Sequence, residues 1–117
     1  MTFVERDAAA ARELSARLSE WGAIGARVEH SDALRFLGMA SGAASGPFNI
    51  VFLDPPFESD LLAQTADLLE KGALLAPGAL IYVESAARRA LPVLPSNWSA
   101  TKAKQAGEVG YHLLTRD

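Results

Sequence analysis

Strand-like and helical patterns alternate from the first residues of the chain. Thr2-Phe3-Val4 is a short β-type run that stops at Glu5, and Asp7 offers an N-cap for a helix that ends at Gly22. The apolar residues of this helix recur at spacings of three and four: Ala11, Leu14, Leu18 and Trp21. The pattern predicts a strand followed by an amphipathic helix.

A second unit of the same kind follows the first. Ala26 to Glu29 is typical of a short strand, and Ser31 or Asp32 can cap a helix that continues through Leu37. The segment SGAASGP at 41–47 is typical of a flexible connector. The order of strand and helix therefore repeats.

The third strand gives the strongest signal. Phe48 to Leu53 ends in four consecutive apolar residues, which is typical of a parallel strand covered on both faces. A helix is predicted from a Ser59 cap to Gly72, and Pro77-Gly78 predicts a turn into a strand over 79–83. Two further strands, at about 99–104 and 109–115, predict a terminal hairpin.

Strand and helix in alternation, followed by a hairpin, predict an α/β fold with a mostly parallel sheet and a C-terminal antiparallel hairpin. In such sheets ligands bind beyond the carboxyl ends of the strands. Each predicted unit carries an acidic residue at that end: Glu5, Asp32, Asp54 and Glu84. These carboxylates are the first candidates for a functional site.

Composition narrows the class of protein. The chain has 117 residues, half of them hydrophobic, which predicts one domain over 1–117, and the absence of cysteine excludes disulfides and thiolate metal sites. No signal peptide or spanning segment is predicted, so we expect a cytoplasmic protein and no membrane partner. His30 and His112 lack partners at ligand spacing, so we expect no metal site.

Charge is unevenly distributed along the chain. The net charge is −3, but residues 1–83 carry six basic and eleven acidic residues, while 84–117 carry five basic and three acidic ones. A general polyanion-binding protein is not expected. If RNA binds, the C-terminal third is the better surface, through its basic residues: Arg88, Arg89, Lys102, Lys104 and Arg116.

Asp54-Pro55-Pro56-Phe57, directly after the third strand, is the most informative motif. Two consecutive prolines fix the backbone and remove two N–H donors. The Asp54 carboxylate and the Pro55 carbonyl could accept both hydrogens of an exocyclic amine and aim its lone pair at an electrophilic methyl group, while Phe57 stacks on the base. The alternative is a rigid turn in which Asp54 caps a helix and Phe57 packs into the core.

The motif and its surroundings resemble a known family. The stretch FNIVFLDPPF, the helix after it, ALIYVES and the ending LPSNWSATKAKQAGEVGYHLL are similar to the bacterial 16S ribosomal RNA guanine-N2 methyltransferases of the RsmD type. The Asp-Pro-Pro-aromatic motif alone also occurs in DNA and protein amino-methyltransferases. The combination of this motif with the NWS…K…G.V.Y ending is typical of a narrower group of proteins.

The resemblance implies a Rossmann-like class I methyltransferase fold that binds S-adenosylmethionine and acts on 16S rRNA of the small ribosomal subunit. It implies that Glu5 binds the ribose hydroxyls, that Asp32 and the Ala33 backbone meet the adenine, and that Asp54, Pro55, Pro56 and Phe57 form the catalytic motif, with Asp54 also at the cofactor. Lys104 and Gly107 match the ending, with RNA contact and turn formation as their expected roles.

The family pattern begins with a helical segment, a first strand and a glycine-rich loop, which we do not find in this sequence. That strand normally lies between the strands ending at Glu5 and Asp54, so we expect exposed strand edges. Direct pairing of Thr2–Glu5 with Asn49–Leu53, or a homodimer, would cover them. A non-catalytic binding or assembly module and a DNA or protein amino-methyltransferase are the alternatives in function.

Overall fold

The computed structural model describes residues 1–40, 47–56 and 60–117, which divide into two compact units, 1–39 and 40–117. Residues 41–46 of the predicted connector at 41–47, the Ser59 cap and Phe57 lie outside the described residues. That 1–117 forms one domain stays a prediction.

The first unit is built from two strand-helix pairs. Its elements are β1 (Thr2–Glu5), α1 (Ala8–Glu20), β2 (Arg27–His30) and α2 (Ala33–Ala40). Strands β1 and β2 are parallel, with Thr2 opposite Arg27 and Glu5 opposite His30. Both helices begin at side-chain caps: Asp7 accepts a hydrogen bond from the Ala10 amide at 2.8 Å, and Asp32 accepts one from the Arg35 amide at 3.1 Å.

The second unit is a four-stranded sheet with one helix. Its elements are β3 (Phe48–Leu53), α3 (Leu61–Lys71), β4 (Leu75–Ala86), β5 (Trp98–Ala106) and β6 (Val109–Arg116), and the strand order is β3-β4-β6-β5. Strands β3 and β4 are parallel, and β4-β6 and β5-β6 are antiparallel. The mixed α/β fold and the terminal hairpin are thus confirmed.

The core of the second unit lies between α3 and the middle of β4. Ala66 and Leu69 of α3 are buried, as are Ile81 and Val83 of β4. Because side chains alternate across a strand, Leu80, Tyr82 and Glu84 lie on the opposite face of the sheet. That second face bears the candidate chemistry.

Two expectations about β3 and β4 are wrong. Strand β3 is not covered on both faces, because Ile50 is 58% and Phe52 63% exposed, and the one helix among the described residues of this unit can cover only one face. Pro77-Gly78 does not precede β4 but lies within it. Gly78 has φ of +77°, and the chain between Leu75 and Leu80 bulges out of register with β3.

Direct pairing of β1 with β3 is also wrong. Across the ranges that the structure describes, β1 pairs with β2 and β3 with β4, in two separate sheets. In the same ranges, no helix has the length and apolar character needed to cross a membrane.

Candidate active site

The Asp54-Pro55-Pro56 segment leaves the carboxyl end of β3 beside the end of β4. Register pairs Leu53 with Val83, so Asp54 and Glu84 follow at neighbouring positions on adjacent parallel strands. Alternation places both on the face of Phe52 and Tyr82. The structure therefore brings two of the predicted carboxylates to one edge of one sheet.

Asp54 and Pro55 are free to accept hydrogen bonds. Asp54 is exposed and Pro55 half-buried. Among the described residues, neither the Asp54 carboxylate nor the Pro55 carbonyl has a hydrogen-bond partner. Since prolines supply no N–H at 55 and 56, this edge offers acceptors and few donors.

A cavity of about 180 Å³ opens beside this segment. Its lining comes from the prolines, the first turn of α3, the end of β4 and the loop that follows. The polar members of that lining are Asp60, Glu84, Ser85 and Arg89. The cavity therefore joins an apolar proline wall to charged groups, as small-molecule and base pockets do.

Tyr82 and its neighbours form an aromatic row below the carboxylates. Phe52 meets Tyr82 edge-on at a centroid distance of 5.7 Å, and Tyr111 lies 6.1 Å from Tyr82 on the other side. The Tyr82 hydroxyl donates to Glu84 Oε1 at 3.4 Å. Burial, followed by the negative charge of Glu84 and smaller effects that include Asp54, raises the pKa of Tyr82. Tyr82 is therefore a hydrogen-bond donor at this edge.

The residues predicted to bind the cofactor lie in the first unit. Glu5 ends β1, its backbone carbonyl accepts a hydrogen bond from the Ser31 amide at 3.0 Å, and its Oε1 accepts one from the Asp7 amide at 3.0 Å. Asp32 uses Oδ1 to cap α2, whose first residue is Ala33. An amide at the first helical position has no acceptor within the helix. The first unit thus offers the carboxylates of Glu5 and Asp32 and the backbone amide of Ala33 at the ends of its parallel strands.

The basic residues of the C-terminal third separate into two groups. Arg116 binds Glu70 of α3, with Nε 2.7 Å from Oε1, and the guanidinium holds the end of β6 on the helix, so its contact with RNA stays a prediction. Lys102 and Lys104 are exposed on β5, and Arg88 and Arg89 are exposed after β4. Gly107 has φ of +60° in the β5-β6 turn, which confirms its role in turn formation.

The hydrogen bonds of the histidines are also defined. His30 Nε2 lies 3.1 Å from the Arg6 carbonyl, and His112 Nε2 lies 3.2 Å from Ser85 Oγ. Over the described ranges, no group of three or more His, Cys, Asp or Glu side chains is placed to hold a metal ion. His30 therefore links β2 to the backbone that follows β1, and His112 links β6 to β4.

Sequence reasoning missed two sets of contacts. Asn97 and Trp98, in the NWS part of the ending, both donate to Glu70 Oε1, at 3.3 Å and 2.6 Å. Tyr82 was given no role, although its spacing of two from Glu84 places both on one face of a strand. The Tyr82–Glu84 contact could have been predicted from that spacing. The contacts of Glu70 could not, because Asn97 and Trp98 are distant from it along the chain.

A protein-family model matches nearly the whole chain. The family model described as "Conserved hypothetical protein 95" matches residues 1–115. The chain belongs to this family. It is 44% identical over 116 residues to the "Ribosomal RNA small subunit methyltransferase D" of Escherichia coli K12, and 36% identical over 115 residues to the protein of the same name from Haemophilus influenzae. The resemblance stated from the motifs is thereby confirmed.

A solved structure agrees with the sequence relatives. The Escherichia coli protein yhhF, assigned provisionally as a methyltransferase, superimposes with a TM-score of 0.86 at 45% identity, covering 99% of this chain and 62% of that one. The Rossmann-like methyltransferase fold class is confirmed. The chain covers 57% of the Escherichia coli relative and 58% of the Haemophilus influenzae one.

Proposed function

We propose that this chain contributes the catalytic motif and the adenosine-binding residues of an S-adenosylmethionine-dependent methyltransferase that acts on the N2 amine of a guanine in 16S rRNA. The observation that carries the proposal is the unpartnered acceptor pair of Asp54 and Pro55 at the carboxyl end of a parallel strand. The named relatives, which are small-subunit rRNA methyltransferases, support the substrate class. This assignment also places the reaction in the cytoplasm.

The chemistry of the acceptor pair suits an exocyclic amine. The lone pair of such an amine is delocalised into the base, which makes the nitrogen a poor nucleophile. Acceptors on both hydrogens draw the nitrogen towards tetrahedral geometry, and they hold its lone pair in one direction. The Asp54 carboxylate would accept one hydrogen and the Pro55 carbonyl the other, and Asp54 would take the proton that the nitrogen releases as its new bond to the methyl carbon replaces the methyl–sulfur bond of S-adenosylmethionine.

The first unit fits the adenosine part of the cofactor. The Glu5 carboxylate can accept from two ribose hydroxyls, Asp32 keeps Oδ2 for the adenine amine, and the Ala33 amide can donate to a ring nitrogen. When bound, S-adenosylmethionine supplies the electrophilic methyl group. Since these residues meet only the adenosine portion, we expect this chain to bind the cofactor weakly or not at all, as measured by calorimetry, and a sub-micromolar dissociation constant would contradict this.

RNA contact is proposed for the exposed basic residues near the site. Lys102 and Lys104 are two residues apart on β5, and Lys104 pairs with Tyr111. They therefore extend the face that bears the aromatic row. Phosphate contacts from such lysines position RNA without reading its sequence.

The test is Asp54→Ala. In a full-length version of the protein, we expect methyl transfer from labelled cofactor to ribosomal subunits to be abolished while cofactor binding is largely retained, because Asp54 polarises the amine. Phe57→Ala should reduce transfer less, since stacking only positions the base. Asp67→Asn, which removes one exposed carboxylate from α3, is the matched control. Equal activity of the Asp54→Ala variant and the wild type refutes the catalytic assignment.

Product analysis separates the alternative functions. Label found in DNA or protein, with none in rRNA, would place the chain among other amino-methyltransferases. Absence of transfer by a full-length version, with no cofactor binding, would favour a binding or assembly module.

We also propose self-association of this chain. Over the described residues β3 is paired on one side only, and Ile50, Phe52 and Leu80 are 58%, 63% and 39% exposed on the same face. An unpaired edge beside an apolar patch favours pairing with a second copy. Light scattering should show a dimer at micromolar concentration. A monomer that persists on concentration contradicts the proposal.

A further inference from the structure

Glu84 shares the candidate site but has no role in the chemistry proposed above. It follows Val83, whose partner is Leu53, so it lies beside Asp54 across two adjacent parallel strands. Glu84 and Pro55 line the same cavity of about 180 Å³. A base whose amine lies at Asp54 and Pro55 therefore presents the neighbouring atom of its edge to Glu84.

Contacts from its own strand restrict the orientation of the Glu84 carboxylate. Its Oε1 accepts a hydrogen bond from the Tyr82 hydroxyl at 3.4 Å. The Tyr82 ring is in turn flanked by Phe52 at 5.7 Å and Tyr111 at 6.1 Å. Half-buried and held in this way, Glu84 keeps a second oxygen that can only accept.

A fixed acceptor at this point distinguishes among the bases that carry an amine. In adenine and cytosine, the ring nitrogen next to the amine-bearing carbon is an acceptor, and a carboxylate repels it. In guanine, N1 next to that carbon carries a hydrogen, which a carboxylate accepts. Bidentate recognition of this kind gives strong discrimination between bases.

We propose that Glu84 is a specificity-determining residue that accepts N1–H of the target guanine, and that Tyr82 positions its carboxylate. The inference rests on the proposed function, because it assumes a base whose amine meets Asp54 and Pro55. The proposed role of Glu84 adds selection of the target base to the proposed methyl transfer. The second oxygen of Glu84 and the acceptors at 54 and 55 then form one edge complementary to the N1–H and the amine of guanine, while the Tyr82 hydroxyl donates to the other Glu84 oxygen.

The experiment compares two labelled hexanucleotides of uridine, one with a single guanine and one with 2-aminopurine at the same position. 2-Aminopurine keeps the amine but has an acceptor at N1. Fluorescence anisotropy measures both dissociation constants for the chain. We expect the wild type to prefer guanine by roughly ten- to hundredfold. Glu84→Gln should bring the ratio close to one, because an amide can donate as well as accept.

Two variants complete the design. Tyr82→Phe keeps the ring contacts and removes the hydroxyl, so we expect an intermediate ratio at unchanged thermal stability. Asp67→Asn removes an exposed carboxylate of the same unit and should keep the wild-type ratio. A ratio unchanged in Glu84→Gln overturns the proposal, as do equal affinities, or no measurable binding, in the wild type.

Methyl transfer provides the independent readout. If Asp54→Ala abolishes transfer while Glu84→Gln keeps the guanine preference, the base-reading role fails and the proposed function stands. If the wild-type chain distinguishes the two oligonucleotides but a full-length version transfers no methyl group, the base-reading role stands and the proposed function fails.

Discussion

Glu70→Gln tests what holds the terminal hairpin on α3. Glu70 Oε1 accepts hydrogen bonds from Trp98 Nε1 at 2.6 Å and from Arg116 Nε at 2.7 Å. Two longer hydrogen bonds, of 3.3 Å each, join Asn97 Nδ2 to Glu70 Oε1 and Arg116 Nη2 to Glu70 Oε2. The Glu70 and Arg116 side chains are only 19% and 22% exposed. Glutamine keeps the volume but removes the charge and turns one acceptor into a donor. Hydrogen bonds to a charged group are worth ~1.5–3 kcal/mol, so we expect a loss of about 2 kcal/mol in the free energy of unfolding.

The expected effect depends on pH. Burial acts to raise the pKa of Glu70, but hydrogen bonds from Arg116, Trp98 and Asn97, with the Arg116 charge, outweigh it, so the pKa lies below its ordinary value of 4.5. A lowered pKa in the folded state means that the ionised form stabilises the fold. The stabilisation is complete above about pH 5 and is lost as pH falls through the folded-state pKa. The gap between wild type and variant should therefore close in acid.

Tryptophan fluorescence is the assay. The chain has two tryptophans, of which Trp21 is 72% exposed and Trp98 is 7% exposed. In a Trp21→Phe background, emission during urea unfolding reports on the second unit alone. Near neutral pH the melting temperature should fall by roughly 8 °C. Asp67→Asn on the same helix, whose exposed ion pair with Lys71 is 2.7 Å long, should cost no more than ~0.5 kcal/mol. Equal stability of Glu70→Gln and wild type near neutral pH, or a gap that does not narrow as the pH falls below 4.5, would refute the reasoning.

Two further substitutions test local structure. Gly78→Ala should destabilise the fold by about 1–2 kcal/mol in urea unfolding, because alanine disfavours a backbone φ of +77°. No atom lies near the added Cβ, so a steric clash does not contribute. Gly38→Ala in α2 should not destabilise the fold, and equal effects of the two substitutions would contradict this. Asp7→Ala should cost about 1 kcal/mol and lower the helical circular dichroism, because the Ala10 amide loses its acceptor, and Asp7→Ser should restore both; no difference between the two variants would argue against the cap.

Local chemistry of the sequence determined most of the elements. An aspartate placed just before apolar residues that recur every 3.6 positions specifies the start of a helix. Both Asp7 and Asp32 act as such caps. A run such as Phe48–Leu53 specifies a strand, and Gly107 specifies a hairpin turn. Because each signal lies within a few residues, no distant contact was needed to find these elements. The acidic residue at the end of each unit was visible for the same reason.

Tertiary structure decided which of those signals act together. Pro77-Gly78 predicts a turn, but pairing of β4 with β3 on both sides of it makes it a bulge inside a strand. Arg116 has the charge of an RNA contact, but packing places Glu70 beside it across 46 residues, and the half-buried guanidinium forms an ion pair with that carboxylate. Glu84 had the right type and position, but only strand register placed it next to Asp54. Register depends on backbone pairing between strands far apart in sequence, so no local pattern contains it.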